Sequence, residues 1–198
     1  MKKQRLSVQL LLLIGLLSCC PAWAAENLWK INPENSSVNF QIKNMMVKTV
    51  NGQFTDFSGT VNYDGRNLQD AVVSADITTN SIDTGIPKRD VHLKSNDFLD
   101  IIHYPKISFK SKKIVSEGSG AFKIMGTLSM HGLLKPVTLS AQPLKVEADA
   151  SGKTKLITVA TTILNRKDFG ISMGWVDQGG AAIADKVKVI LNIELINI

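Results

Sequence analysis

The 198-residue chain carries 23 Lys and Arg against 17 Asp and Glu, a net charge of +6, with 44% hydrophobic residues and only two cysteines. That length fits one domain, and the basic residues are scattered among acidic ones, an excess too weak to argue for a nucleic-acid-binding face. Both cysteines, Cys19 and Cys20, sit near the N-terminus, so thiolate, disulfide and cysteine-metal chemistry is confined to that segment.

Residues 1–24 read as a secretory signal peptide. Lys2, Lys3 and Arg5 precede an apolar run from Leu10 to Leu17, and Ala22 and Ala24 form the small-residue pair of a cleavage site. The run is too short to span a bilayer. Cleavage after Ala24 leaves residues 25–198 as one cysteine-free domain, and loss of three cations lowers its charge to +3. A second reading takes Leu16-Leu17-Ser18-Cys19 as a lipobox, which would make Cys19 a lipid anchor.

Beyond the leader the dominant period is two, the signature of strands with one apolar face. Val38, Phe40 and Ile42 alternate with polar residues. Further strands are expected over about 49–62 and 70–79, around Ile107 and Phe109, and over 121–130, where Phe122, Ile124, Leu128 and Met130 share a face with Gly126. The pattern continues over about 134–147 and 154–164 and ends with Val187, Val189, Leu191, Ile193 and Leu195. Turns fall at Asp64-Gly65, Gly118-Ser119-Gly120, His131-Gly132 and Ser151-Gly152. About eight antiparallel strands fit either a sandwich or a closed barrel, and periodicity does not separate them. The large apolar residues, Met45, Met46, Met125, Met173 and Trp175 among them, suit an adaptable lipid-facing interior, although composition by itself is met by an ordinary packed core.

The stretch 81-SIDTGIPKRDVHLKSNDFLD-100 breaks this alternation. Thr84 is positioned to cap a helix of about two turns over 86–94, with Pro87 tolerated in its first turn, and Ser95 to cap a second turn through Phe98. Ile86, Arg89 and Leu93 fall on one face, while Asp90 and Lys94 stand at pairing distance. Asp83, Thr84, Arg89, Asp90 and His92 therefore read as a polar brace across the end of a β structure. Catalysis is not expected: Asp90 and His92 point in different directions, and no metalloprotease helix, nucleophile elbow or phosphate loop occurs. His92, His103 and His131 are the available imidazoles for a haem or metal site, and hydrogen bonding at element ends is the simpler use for them.

The same stretch, with 104-YPKISFKS-111, 126-GTLSMHGLLKPVTL-139, 166-RKDFGI-171, 52-GQFTDFSG-59 and the Ser37-x-x-Phe40 region, resembles the YceI-like family of exported lipocalin-like proteins in order along the whole mature chain. The resemblance implies an all-β fold, an extended eight-stranded antiparallel barrel with a short helical crossover, enclosing a long apolar cavity. It implies noncovalent binding of an isoprenoid lipid in the periplasm, either a polyprenyl compound or an isoprenoid quinone, with transient membrane contact and no required cofactor. The candidate cavity lining is Phe40, Ile42, Met45, Met46, Val50, Phe54, Phe109, Phe122, Ile124, Leu128 and Met130. The family commonly has histidine where Asn44 stands; if that histidine meets a ligand head group, the asparagine implies either a different head group or retention of the tail alone. A structural or stress-related exported barrel acting through a partner surface is the alternative, and the oligomeric state is not legible.

Overall fold

The computed structural model describes residues 28–44, 49–149, 151–172 and 183–198. The expected leader with Cys19, and Met45, Met46, Met173 and Trp175, lie outside the described residues. Twelve strands among the described residues are laid in eight lanes. The first lane is β1 (Leu28–Ile31) continued by β2 (Ser37–Asn44), the second β3 (Thr49–Phe54) continued by β4 (Phe57–Asn62), and the third β5 (Val72–Thr78) continued by β6 (Ile82–Asp83). Then come β7 (Lys106–Gly118), β8 (Ala121–Met130), β9 (Leu133–Ala141) with β10 (Lys145–Ala148), β11 (Thr154–Asn165) and β12 (Ile183–Asn197).

Neighbouring lanes pair antiparallel, and β12 closes the ring. One edge of β12 pairs with β11 from Lys155↔Ile196 to Asn165↔Lys186, while its other edge pairs with β2 and then with β1. The result is a closed eight-stranded antiparallel barrel, in which the short strands β6 and β10 are paired on one side only.

Two strands expected as continuous are each broken. Between β3 and β4, Thr55 N donates to Ser81 O (3.1 Å) while Asp56 O accepts from Thr78 N (2.9 Å), so the lane changes partner from β6 to β5 across the 3-10 turn Thr79–Ser81. Between β9 and β10 the chain passes through Gln142-Pro143-Leu144, where Pro143 supplies no ladder N–H. The short strand β1 gave no readable alternation and is found only through its pairing with β4 and β12.

One end of the barrel carries the helix α1 (Pro87–Lys94), the β8–β9 turn and a 3-10 helix at Arg166–Phe169. The β8–β9 turn places His131 and Gly132 both at positive φ, 50° and 73°, the two-residue hairpin geometry that matches strand twist. At Gly132 a Cβ would also stand 2.7 Å from the Tyr104 ring. The opposite end is filled by Trp29, Ile31, Leu156 and Leu195, with Trp29 Nε1 donating to Tyr63 O (3.0 Å). Beside it Glu194 is buried, its Oε1 accepting from Asn32 and Asn35 Nδ2 (2.8 Å each) and its Oε2 from Lys155 Nζ (3.1 Å).

Helix α1 begins differently from the sequence expectation. Its N-cap is Ile86, with no side-chain capping bond. Thr84 instead bonds across to Arg89 and Asp90, and Asp90 turns its Oδ1 to Thr84 instead of pairing with Lys94. Ile86, expected on the apolar face with Leu93, is 49% exposed. Ser95 does cap the following turn, accepting from Asp97 N (3.3 Å).

A candidate ligand-binding cavity

The inner face of a barrel this size has to be filled by side chains or by a ligand. Here the filling is incomplete: a cavity of about 320 Å³ runs inside the barrel, lined almost wholly by apolar atoms. That volume falls in the range of small-molecule sites, so the interior is not the ordinary packed core that composition alone allows.

Period-two alternation positions the lining. On β8, Phe122, Ile124, Leu128 and Met130 face inward while Met125 points out and is 44% exposed. On β12, Val187, Val189, Leu191, Ile193 and Leu195 face inward. Phe40, Ile42, Val50, Phe54 and Phe109 complete the described members of the candidate set, and all stand on the cavity wall. Met45 and Met46 lie outside the described residues, and Asn44 is placed only by its backbone register with Ile183.

Sequence reasoning missed several wall residues. Leu93, Phe98, Leu99 and Ile171 come from the helical end and pack with Ile82, so the crossover is a wall of the cavity as well as a lid on the barrel. The signal was present in the apolar residues dispersed through an otherwise polar stretch. Polar groups reach the wall too, including Asp76, Thr84, Arg89 and Arg166.

Of the five residues expected to form one brace, the structure joins Arg89 and Asp90 through Thr84, while Asp83 and His92 bond elsewhere. Arg89 Nε donates to Thr84 Oγ1 (2.7 Å) and Arg89 Nη2 to Thr84 O (2.8 Å), while the Thr84 hydroxyl and N–H both donate to Asp90 Oδ1, the latter at 3.0 Å. Asp83 accepts from Gly85 N (2.8 Å) and from Gln53 Nε2 (3.3 Å), bonds that hold its carboxyl below the usual 3.8. His92 stands apart from this group, with Nε2 3.2 Å from Asp97 Oδ2 and its ring edge-on to Phe98.

Arg166 and Asp76 are the other charged wall residues. Arg166 is buried at 8% exposure. Its Nη1 donates to Ile171 O (2.8 Å), its Nε to Ala184 O (3.3 Å) and its Nη2 to Asp185 Oδ1 (3.1 Å). Asp185 is held below its ordinary value first by the hydrogen bond from Lys167, then by the nearby Lys167 and Arg166 charges. Asp76 is likewise lowered, first by the bond from Ser108 Oγ (2.6 Å) and then by Lys106.

The remaining imidazoles serve local structure. His103 Nδ1 lies 2.8 Å from Asp100 Oδ2, and His131 Nδ1 lies 3.0 Å from Phe169 O with its ring against Tyr104. Among the described residues no group of three or more His, Cys, Asp or Glu is arranged to hold a metal ion.

Comparison with known proteins places this geometry. The model of the YceI-like domain matches residues 29–195. A UPF0312 protein of Vibrio parahaemolyticus is 33% identical over 150 residues, 76% of this chain and 79% of that protein. The crystal structure of BcnA from Burkholderia cenocepacia superposes with a TM-score of 0.70 at 22% identity, covering 83% of this chain and 98% of that one. A polyisoprenoid binding domain from Saccharophagus degradans, implicated in plant cell wall breakdown, superposes with a TM-score of 0.64 at 14% identity over 86% of this chain and 98% of its own. Both structural likenesses are likenesses of fold.

Proposed function

The chain belongs to the YceI-like domain family, and from that premise we propose that it is a noncovalent, non-enzymatic carrier that sequesters or transports an isoprenoid lipid in the periplasm. The observation that carries this reading is the apolar cavity inside a closed barrel. A polyprenyl tail lying against Phe40, Phe109, Phe122, Ile124 and Leu128 would gain about 0.8 kcal/mol per buried CH₂ before the costs of ordering are deducted. The solved polyisoprenoid binding domain shares the barrel fold, which supports an isoprenoid as the class of tail. A polyprenyl compound and an isoprenoid quinone both meet the requirement of the apolar wall. Loading and release would then call for a transient meeting of the barrel with a membrane surface.

Native mass spectrometry of the protein isolated from the periplasm, followed by organic extraction, tests the reading. One isoprenoid at near-unit occupancy is the expected result. A barrel recovered empty, with no uptake of added polyprenyl lipid, would overturn it and favour a structural barrel acting through a partner surface. Intact mass of the same sample reports processing: a chain beginning at Ala25 without lipid mass is expected, and a lipid on Cys19 would correct it.

A further inference from the structure

Resting on the carriage reading above, we propose that Arg89 binds an anionic oxygen at the helical end of the cavity. The ligand is then an amphiphile bearing a phosphate or carboxylate head on its apolar tail. A guanidinium has five N–H donors. Thr84 takes two of them, through its hydroxyl and its carbonyl, which leaves three for another acceptor. Arg89 is half-buried and lines the cavity, yet no carboxylate among the described residues forms an ion pair with it.

The other charged groups on the wall are matched by ion pairs, and Asp90 reaches Arg89 only through the neutral Thr84. Asp90, its neighbour in sequence, gives its Oδ1 to the Thr84 N–H and hydroxyl. Arg166, the other cation on the wall, is bound by Asp185 and by two backbone carbonyls. Asp76 is balanced by Lys106 and Ser108. Among the described residues Arg89 is thus the cavity-lining cation without a direct ion pair, the Asp90 carboxylate standing one hydroxyl removed, next to a wall of apolar atoms where a charge that is only partly compensated is costly.

Its position is fixed in advance. The chain of bonds from Arg89 to Thr84 to Asp90 orients the guanidinium before any ligand arrives, which reduces the ordering cost of binding. Leu93, one helical turn on, lines the cavity beside it, so a head on Arg89 leads its tail directly onto apolar surface. Guanidinium geometry suits phosphate and carboxylate, which accept two bonds and supply the missing charge. An alcohol or quinone oxygen accepts a bond and leaves the charge unbalanced.

Farnesyl phosphate, farnesoic acid and farnesol share one tail and differ in the head. Their dissociation constants, from displacement of an apolar fluorophore at neutral pH, would be compared in the wild type, Arg89→Gln and Arg89→Lys. In the wild type both anions are expected to bind about tenfold tighter than farnesol, the scale of a charged hydrogen bond. Arg89→Gln should bring that ratio close to one, and Arg89→Lys should retain part of it. Both affinities are read on the same folded population, so a loss of stability cancels from the ratio. Preference for the phosphate alone would support the site and assign it to phosphate. Equal binding of all three ligands by the wild type, or an anion preference that survives Arg89→Gln, would overturn the Arg89 assignment and leave the carriage reading standing. Failure of all three ligands, and of longer polyprenyl lipids, to bind would overturn both.

Discussion

Phe40 on β2 and Gly52 on β3 are direct register partners, and the Phe40 ring occupies the space that a side chain on Gly52 would need. A Cβ at position 52 would stand 2.7 Å from Phe40 Cε1. The ring also lies 5.8 Å, centroid to centroid, from Phe54 on the cavity wall. Gly52→Ala therefore has to push the ring off its seat, at an overpacking cost of about 1–3 kcal/mol. Urea unfolding should show that loss. In a Phe40→Leu background the same substitution should cost less, a coupling of at least roughly 0.5 kcal/mol; additive costs would refute the ring-on-glycine account.

Ile124 stands midway along β8 with 8% exposure and faces the cavity from the cluster that holds Ile114, Phe122 and Leu139. Ile124→Trp projects a larger ring into the sleeve. The expected outcome is a folded barrel with lower lipid occupancy, destabilised by about 1–3 kcal/mol. Circular dichroism and native mass spectrometry of one preparation would check both halves, and full occupancy in the folded variant would remove Ile124 from the ligand path.

Glu194 is held below its ordinary value of 4.5, first by the hydrogen bond from Asn35, then by those from Asn32 and Lys155. A carboxylate whose folded pKa is depressed contributes stability above its unfolded value and loses it as pH falls through the folded one. Glu194→Gln should therefore destabilise the barrel at neutral pH by roughly 1.5–3 kcal/mol, the range of hydrogen bonds to a charged group. That deficit should shrink as pH drops below about 4.5. Urea midpoints of the two proteins across a pH series would show the convergence, and a constant gap would contradict it.

Asp90 anchors Thr84, and Thr84 anchors Arg89. Asp90→Ala should loosen the crossover at a cost of about 1–3 kcal/mol, because two donors on Thr84 lose one acceptor. Hydrogen exchange should rise in 84–94 first, with any decline in lipid affinity following that loosening. Lipid loss without local opening would mean that Asp90 itself meets the ligand.

Much of the barrel was legible because a strand's inner face repeats every second residue, whatever its neighbours do. Phe122, Ile124, Leu128 and Met130 face the cavity for that reason, as do Val187 through Leu195 on β12. The break at Thr55-Asp56 was not legible, since it arises where hydrogen bonds pass to a different neighbouring strand, whereas Pro143 was a signal in the sequence for the break at Gln142-Pro143-Leu144 and the expected strand ran through it. Closure into a barrel came from the family resemblance, because alternation alone is equally met by a sandwich. The cavity was beyond composition: it depends on how far eight curved lanes hold their inner side chains apart. Arg89 was read only as part of a brace. Its presence on the wall follows from α1 turning one face toward Ile82 and Phe98, a tertiary fact that local spacing does not contain.

The register of β12 also makes closure of the barrel depend on contacts far apart in the sequence. Asn192 Nδ2 bonds to Ser37 Oγ across 155 positions, and Glu194 meets Asn32 across 162. Until that strand docks, β2 and β11 lack the partner that joins them, and the curved sheet remains an open trough with its apolar lining in water. Such long-range pairing is slow to form. The interval before it forms is when the apolar lining is exposed and the chain is most prone to aggregate. A chain lacking β12 would have no enclosed interior, because β12 is the strand that joins β11 to β2 and β1.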